Sequence, residues 1–365
     1  MYKNLARAAA LAAALLSPPH TPAQALAAPP EPLKIGFVYV SPVGEAGWSY
    51  QHDLGRREME RALGARVRTT VVEAVAEGAD SERVMRDLAR QGHQLIFATS
   101  FGYLEPALRV AAEFPQVAFE HAGGYKTAPN LNTYNARYYE ARYLAGWLAG
   151  KTSRSGIAGY VAGFPVPEVV QGINAFAIGL REANPRAQLR VQWLNTWFDP
   201  AREREAAQAL IDRGADVLTN HSGSPAVAQA AQAAFKDKGV RVISYQSDMR
   251  AYAPEAQLAA VTHHWGGYYT QVARERLAGR WQPAPVWGGL KDGLVQLSAL
   301  DASIPDELRA QLETRRRAIV AGTLRPFSGR LLDNAGRERQ AGGTMDDAAI
   351  AAMNWLAAGV VGTLP

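Results

Sequence analysis

The sequence predicts an α/β protein of two lobes, each a parallel sheet with helices on both faces. Three observations carry this. From residue 33 onward, short apolar runs alternate with longer amphipathic stretches. Glycine, proline and small polar residues punctuate the joins, as short connections require. The alternation starts again near residue 136, and a chain of 365 residues has room for two cores.

The elements follow in order. Leu33–Val40 reads as a buried strand, and Tyr50–Leu63 as a helix stopped by Gly64. Val67–Val72 is a strand, and Asp80–Gln91 a helix capped by Asp80 or Ser81 and closed by Gly92. Leu95–Thr99 is a strand, Tyr103–Phe114 a helix and Gln116–His121 a strand. In the second half, Ala136–Gly150 is a helix with Tyr138, Tyr139, Tyr143 and Leu144 on its apolar side. Gly156–Ala162, Leu189–Leu194, Val217–Thr219, Val240–Tyr245 and Leu258–Thr262 are strands. Pro167–Ala183, Asp199–Arg213, Pro225–Lys238 and Gly267–Ala278 are helices. A turn or hairpin is expected over Ser328–Gln340 and a final helix over Met345–Leu356.

The expected organisation is a leader at 1–27, a first lobe from 33–150 with about 263–282, and a second from 151–262 with about 283–300. Residues 301–365 form an extension packed on the lobes. Lys3 and Arg7 precede the apolar run Ala8–Leu16, Ser17-Pro18-Pro19 breaks it, and Ala23-Gln24-Ala25 and Ala25-Leu26-Ala27 fit a small-x-small cleavage rule. That is the layout of a cleaved signal peptide, with the periplasm as destination. The absence of cysteine excludes both a disulfide scaffold and a lipid-modified cysteine. The net charge of +5 is spread along the chain. Its densest run, Arg315-Arg316-Arg317, reads as a solvated helix face, so nucleic acid is not an expected partner.

Open parallel sheets bind ligands beyond the C-terminal ends of their strands. Those exits here carry Trp48-Ser49-Tyr50-Gln51, Phe101, His121, Trp197-Phe198, Gly223, Asp248 and Trp265. Rings recur beside amide, carboxylate and hydroxyl groups, which suits a flat ligand rich in hydrogen-bonding edges, although a sugar can also lie between tryptophans. Trp48 either caps the core or stacks on such a ligand. Asp248 is expected to accept hydrogen bonds from it.

Catalytic patterns are missing. The first loop lacks GxGxxG spacing, and no Walker A, GxSxG or HExxH sequence occurs. His121, His221 and His263 are too scattered to argue for a metal. The reading is a binding protein without cofactor or metal, and not an enzyme.

The chain resembles the BMP (basic membrane protein) family of ABC-transporter substrate-binding proteins over roughly residues 33–330. The resemblance rests on KIGFVYVSPVGEAGWSYQHDLG, FGYLEPALRVAAEFPQVAFEH, YEARYLAGWLAG, GYVAGFPVPEVVQGINAFAIGL, RGADVLTNHSG, VISYQSD, GGLKDGLVQLSAL and IVAGTLRPFSG, in that order. It implies a type I periplasmic-binding-protein fold, with two Rossmann-like lobes that close about a hinge, and purine nucleosides as ligands of many members. Ser49-Tyr50-Gln51-His52 occupies the family's Ser-Phe-Asn-Gln-like stretch, and Asp248 matches its ribose-contacting acid. His121 stands where an acid is expected, and Trp265 or Gly266 where a lysine is expected. These departures favour a bare, adenine-like purine base over a nucleoside.

The function implied is that of a monomeric binding protein delivering its ligand to an inner-membrane ABC permease. The rivals are an exported nucleoside-processing enzyme and a ligand sensor for a membrane receptor. A sugar-type repressor of the same fold would need an N-terminal helix-turn-helix, where this chain has its leader.

Overall fold

The computed structural model describes residues 31–365, so the expected signal peptide lies outside the described residues. Pro32–Pro365 forms one compact unit built on two sheets. Among the described residues, no helix is long and apolar enough to cross a membrane.

The first sheet is built from β1 (Leu33–Val38), β2 (Val67–Val72), β3 (Leu95–Ala98), β4 (Ala118–Ala122) and β5 (Leu131–Ala136). α1 (Trp48–Leu63), α2 (Ala79–Arg90) and α3 (Leu104–Glu113) connect its first four strands. The chain then crosses to α4 (Tyr138–Thr152), β6 (Ile157–Ala162), α5 (Pro167–Ala183), β7 (Gln188–Trp193), α6 (Pro200–Asp212), β8 (Val217–His221), α7 (Ala226–Lys238), β9 (Arg241–Gln246) and β10 (Gln257–His263). It returns through α8 (Gly266–Leu277) and β11 (Val286–Gly288) and leaves again for β12 (Val295–Ser298). The C-terminal part holds α9 (Asp306–Val320), the hairpin β13 (Leu331–Leu332) and β14 (Glu338–Gln340), α10 (Asp347–Ala351) and β15 (Val360–Val361).

The first sheet has the order β11-β5-β4-β3-β1-β2, with every pair parallel. The second has the order β12-β10-β9-β8-β6-β7-β15, and only β12 runs antiparallel. Strands such as Leu95–Ala98 are buried along their whole length because helices cover both faces. In each sheet the order reverses beside the first strand of the lobe, β1 or β6. A crevice opens at such reversals because successive helices leave on opposite faces.

Several expectations are corrected. The helix expected at Ala136–Gly150 was assigned to the first lobe, but α4 packs on α5, β10, β12 and α9. It is buried nearly all round, with Arg142, Tyr143, Leu144 and Trp147 all inside, so it is a central helix of the second lobe. The chain therefore changes lobe at Ala136–Tyr138, not near residue 150. The stretch assigned to the second lobe from about 283 is divided, because β11 extends the first sheet beside β5. β5 itself was not anticipated, since Asn132, Thr133 and Asn135 break its apolar pattern. Asp80 and Ser81 lie inside the first turn of α2, whose N-cap is Gly78. The hairpin at the C-terminus forms. The final helix is only Asp347–Ala351, and Met353, Trp355 and Leu356 reach the core from irregular chain instead.

Three chain segments thus join the lobes: Ala136–Tyr138, His263–Gly266 and Gly288–Val295. A nest of rings surrounds the first two. His263 is fully buried, with Tyr138 at 4.5 Å, Tyr245 at 4.9 Å and Trp48 at 5.8 Å between centroids.

Candidate functional site

The strand ends of both sheets face one cavity. The first lobe contributes Val40 and Ser41 after β1, Trp48 at the start of α1, Ser100 and Phe101 after β3, and Ala122 and Gly123 at β4. The second contributes Glu168 in the first turn of α5, Trp197 after β7, His221–Gly223 at β8 and Gln246 at the end of β9. The space open to the centre of a water molecule is about 40 Å³, so the lobes are closed on each other around a small volume.

Direct bonds hold that closure. Ser247 Oγ accepts from Gly47 N at 2.9 Å and from Gln51 Nε2 at 3.0 Å. Asn135 Nδ2 donates to Glu168 Oε2 at 3.0 Å. Gly47 has φ 98°, and a Cβ there would collide with the carbonyl oxygen of Gly223 on the opposite lobe. Only a glycine permits that approach.

Trp48 is fixed by donating from Nε1 to the Thr99 carbonyl at 2.6 Å. Trp197 lies edge-on to Phe164 at 4.9 Å and fits over Gly163, where a Cβ would sit 2.8 Å from its ring. Among the described residues, no ring contact joins any two of Trp48, Phe101 and Trp197. The three rings therefore line the cavity separately, and each presents an apolar surface to it.

Behind the second lobe's lining lies a buried charge. Arg142 is fully buried, with its guanidinium carbon 3.4 Å from the centre of the Tyr245 ring. It donates to Thr219 Oγ1 at 2.9 Å and to the Asn220 carbonyl at 2.5 Å. Among the described residues it has no carboxylate partner within ion-pair distance. Tyr245 in turn lies 4.5 Å from the His221 ring. His221 Nε2 faces Glu168 Oε1 at 3.6 Å, and burial pushes the imidazole pKa down, which favours the neutral ring.

Of the ten residues singled out from sequence, Trp48, Phe101, Trp197 and Gly223 line the cavity. The other six lie elsewhere. Tyr50 is half-buried outside the lining, because two positions along a helix turn a side chain by about 200° from Trp48. Gln51 spends its amide on Ser247. Phe198 packs behind Gly223. His121 is fully buried on the far side of β4 beside Gly124, and burial lowers its pKa to about 3. Trp265 is 1% exposed, stacked on His52 at 5.3 Å and edge-on to Tyr134 at 5.3 Å. Asp248 is exposed and already occupied, by Arg250 at 2.6 Å and by Gln257 Nε2 at 2.7 Å. In this closed form its carboxylate does not line the cavity.

Glu168, His221 and Gln246 were not singled out. His221 sits two positions before Gly223 and Gln246 two before Asp248, so the strand-exit rule reached the right loops. It did not say which side chain of each loop turns inward.

Comparison with known proteins fits this geometry. Residues 33–324 match the family model described as Bmp, ABC transporter substrate-binding protein PnrA-like. The chain is 47% identical to a purine-binding protein of Brucella abortus, over 92% of this chain and 95% of that one. It is 38% identical to a putative ABC transporter glucose-binding protein of Haloferax volcanii, over 82% of this chain and 75% of that one. A solved ABC transporter solute-binding protein from Aeropyrum pernix superposes with TM-score 0.70 at 17% identity, covering 88% of this chain and 96% of that one, which shows the shared type I fold. With its lobes closed over one cavity and the family match running through both, the chain belongs to the Bmp, or PnrA-like, ABC transporter substrate-binding proteins.

Proposed function

We propose that the ligand is a purine base, adenine-like rather than a nucleoside, held between the lobes and handed to an ABC permease. The observation that carries this is the lining of the cavity, three separate rings from both lobes around a few polar groups. A flat aromatic base exploits such walls, since stacking a base on a ring is worth about 1–3 kcal/mol. A ribose would need hydroxyl partners of its own. The lining serines Ser41, Ser100 and Ser222 already bond to Ser49, Glu77 and Glu203, which leaves them as acceptors but not as free donors. The purine-binding relative at 47% identity supports a purine as the ligand class.

The mechanism is closure. The ligand binds the closed form better than the open one and so shifts the population toward it. Trp48 and Phe101 on the first lobe and Trp197 on the second hold the base from different sides, while Glu168, His221 and Gln246 meet its polar edges. Asp248 and Gln51 act outside the cavity, Gln51 as part of the closing contact. Export through the leader at 1–27 would place this cycle in the periplasm, with the protein working as a monomer.

A thermal-shift series followed by calorimetry tests the proposal, using adenine, hypoxanthine, guanine, adenosine, inosine and glucose. A ligand at about 100 times its Kd adds roughly 2.7 kcal/mol of stability. Free bases are expected to shift the melting temperature most. Trp48→Ala and Trp197→Ala are each expected to weaken base binding about 10-fold or more while the protein stays folded. A response to glucose or nucleosides without one to free bases refutes the ligand assignment. Release of altered product from a nucleoside would point to the enzymatic rival instead.

A further inference from the structure

The polar groups lining the cavity are unequally committed. Ser41 shares a 2.7 Å hydrogen bond with Ser49. Ser100 donates to Glu77 at 2.7 Å, and Ser222 donates to Glu203 at 2.8 Å. Glu168 accepts from Asn135. Two buried atoms remain without a partner: Nδ1 of His221 and Oε1 of Gln246. Gln246 is only 3% exposed, and its side chain borders the cavity between the lobes. A buried amide oxygen left unpaired is costly and calls for an explanation.

The backbone at this residue is also unusual. Gln246 has φ 71°, in the left-handed region that residues with a Cβ seldom adopt. Such conformations persist where surrounding contacts fix them, and they cluster at ligand sites. Here the next residue, Ser247, bonds across the cleft to Gly47 and Gln51. Closing the lobes therefore also fixes where the Gln246 amide stands.

We propose that Gln246 sets which purine the cavity accepts, by pairing its amide with an adjacent donor and acceptor on the base edge. This rests on the purine reading above. A primary amide offers one donor direction beside one acceptor, the complement of the amino group and neighbouring ring nitrogen of adenine. Guanine presents a ring N–H flanked by a carbonyl oxygen on one side and an amino group on the other, so an amide matches only part of that edge. Two neighbouring donors suit a carboxylate, which only accepts. His221 supplies the second polar contact. If its Nε2 proton points at Glu168, its Nδ1 lone pair accepts another N–H of the base.

The test is calorimetry with adenine, hypoxanthine and guanine on the wild type, Gln246→Leu, Gln246→Glu and Gln246→Asn. The Asn variant tolerates positive φ better and keeps the comparison available if the Leu variant fails to fold. The wild type is expected to prefer adenine to guanine. Leu and Asn are expected to lose roughly ten- to hundredfold in adenine affinity, and Glu to reverse the adenine-to-guanine ratio. Wild-type binding of adenine with unchanged affinities and unchanged ratio in the variants overturns the role of Gln246 and leaves the purine assignment standing. A wild type that binds no purine overturns both.

Discussion

Trp197, on the second lobe, donates its indole N–H to the Glu77 carboxylate of the first lobe at 3.1 Å. The same oxygen of Glu77 accepts from Ser100 Oγ at 2.7 Å and from Gly102 N at 2.8 Å. One carboxylate thus holds the loop that presents Phe101 and latches the ring that comes down on it from the other side. In the proposed closure cycle this inter-lobe bond would form only when the lobes meet and so add to ligand affinity.

Glu77→Ala is therefore expected to weaken ligand binding. Glu77 is exposed, so the effect is moderate, about three- to tenfold in Kd. The loss should appear mainly as faster release, because the bond forms after the lobes meet. Stopped-flow measurement of the off-rate checks it, and an unchanged off-rate would show that the latch carries no energy.

Gly47→Ala should block closure outright. The added methyl would meet the Gly223 carbonyl across the cleft, and φ 98° disfavours any side chain there. Each lobe keeps its own core, so the protein should still fold, with its melting temperature lowered by the backbone strain, while affinity falls by about 100-fold or more. Small-angle scattering supplies the second readout. The wild type should contract on adding ligand and the variant should not; contraction of the variant contradicts the steric argument.

Glu120 makes stability depend on pH in a defined direction. It is fully buried in the first lobe, and burial raises its pKa from 4.5 to about 7 against the opposing hydrogen bonds from Tyr268, Trp281 and Asn132. The folded state then holds a proton that the unfolded state has released. Its contribution is full below pH 4.5 and is lost as pH rises through about 7. Buried His52 and His121, each lowered by burial to about 3, act in the opposite sense, losing stability as pH falls from 6.5 toward 3. A comparison with Glu120→Gln isolates the carboxyl. The variant should gain stability relative to the wild type between pH 4.5 and 7, whatever its constant offset. A difference independent of pH in denaturant titrations would mean that Glu120 ionises normally.

Much of the fold was legible because parallel strands and their covering helices leave separate periodic marks. Phe37 and Phe97 sit in uninterrupted apolar runs, and each run became a strand of the first sheet. β5 was missed because its buried Asn132 bonds to Glu120, a contact 12 residues away that no local pattern encodes. α4 was given to the wrong lobe because a helix buried on all sides has no polar face to show which sheet it serves. The final helix, expected over Met345–Leu356, is only Asp347–Ala351, and Met353 and Trp355 lie beyond its end. They are buried from irregular chain held by Asn174, whose side chain bonds to the Trp355 carbonyl at 2.7 Å.

At the site, the sequence alone determined the two sheets, the order of their strands' exits, and the enrichment of those exits in rings and polar groups. These are properties of chain-local periodicity and of composition at turns. Only the tertiary structure decided that Trp48 turns inward while Tyr50 turns away, that Trp265 is consumed by the hinge, and that Asp248 is tied to Arg250 outside the cavity. The physical reason is that a cavity is made by two lobes meeting. Which atom of Glu168, His221 or Gln246 is left unpaired depends on partners from distant strands, and the sequence does not place those side by side.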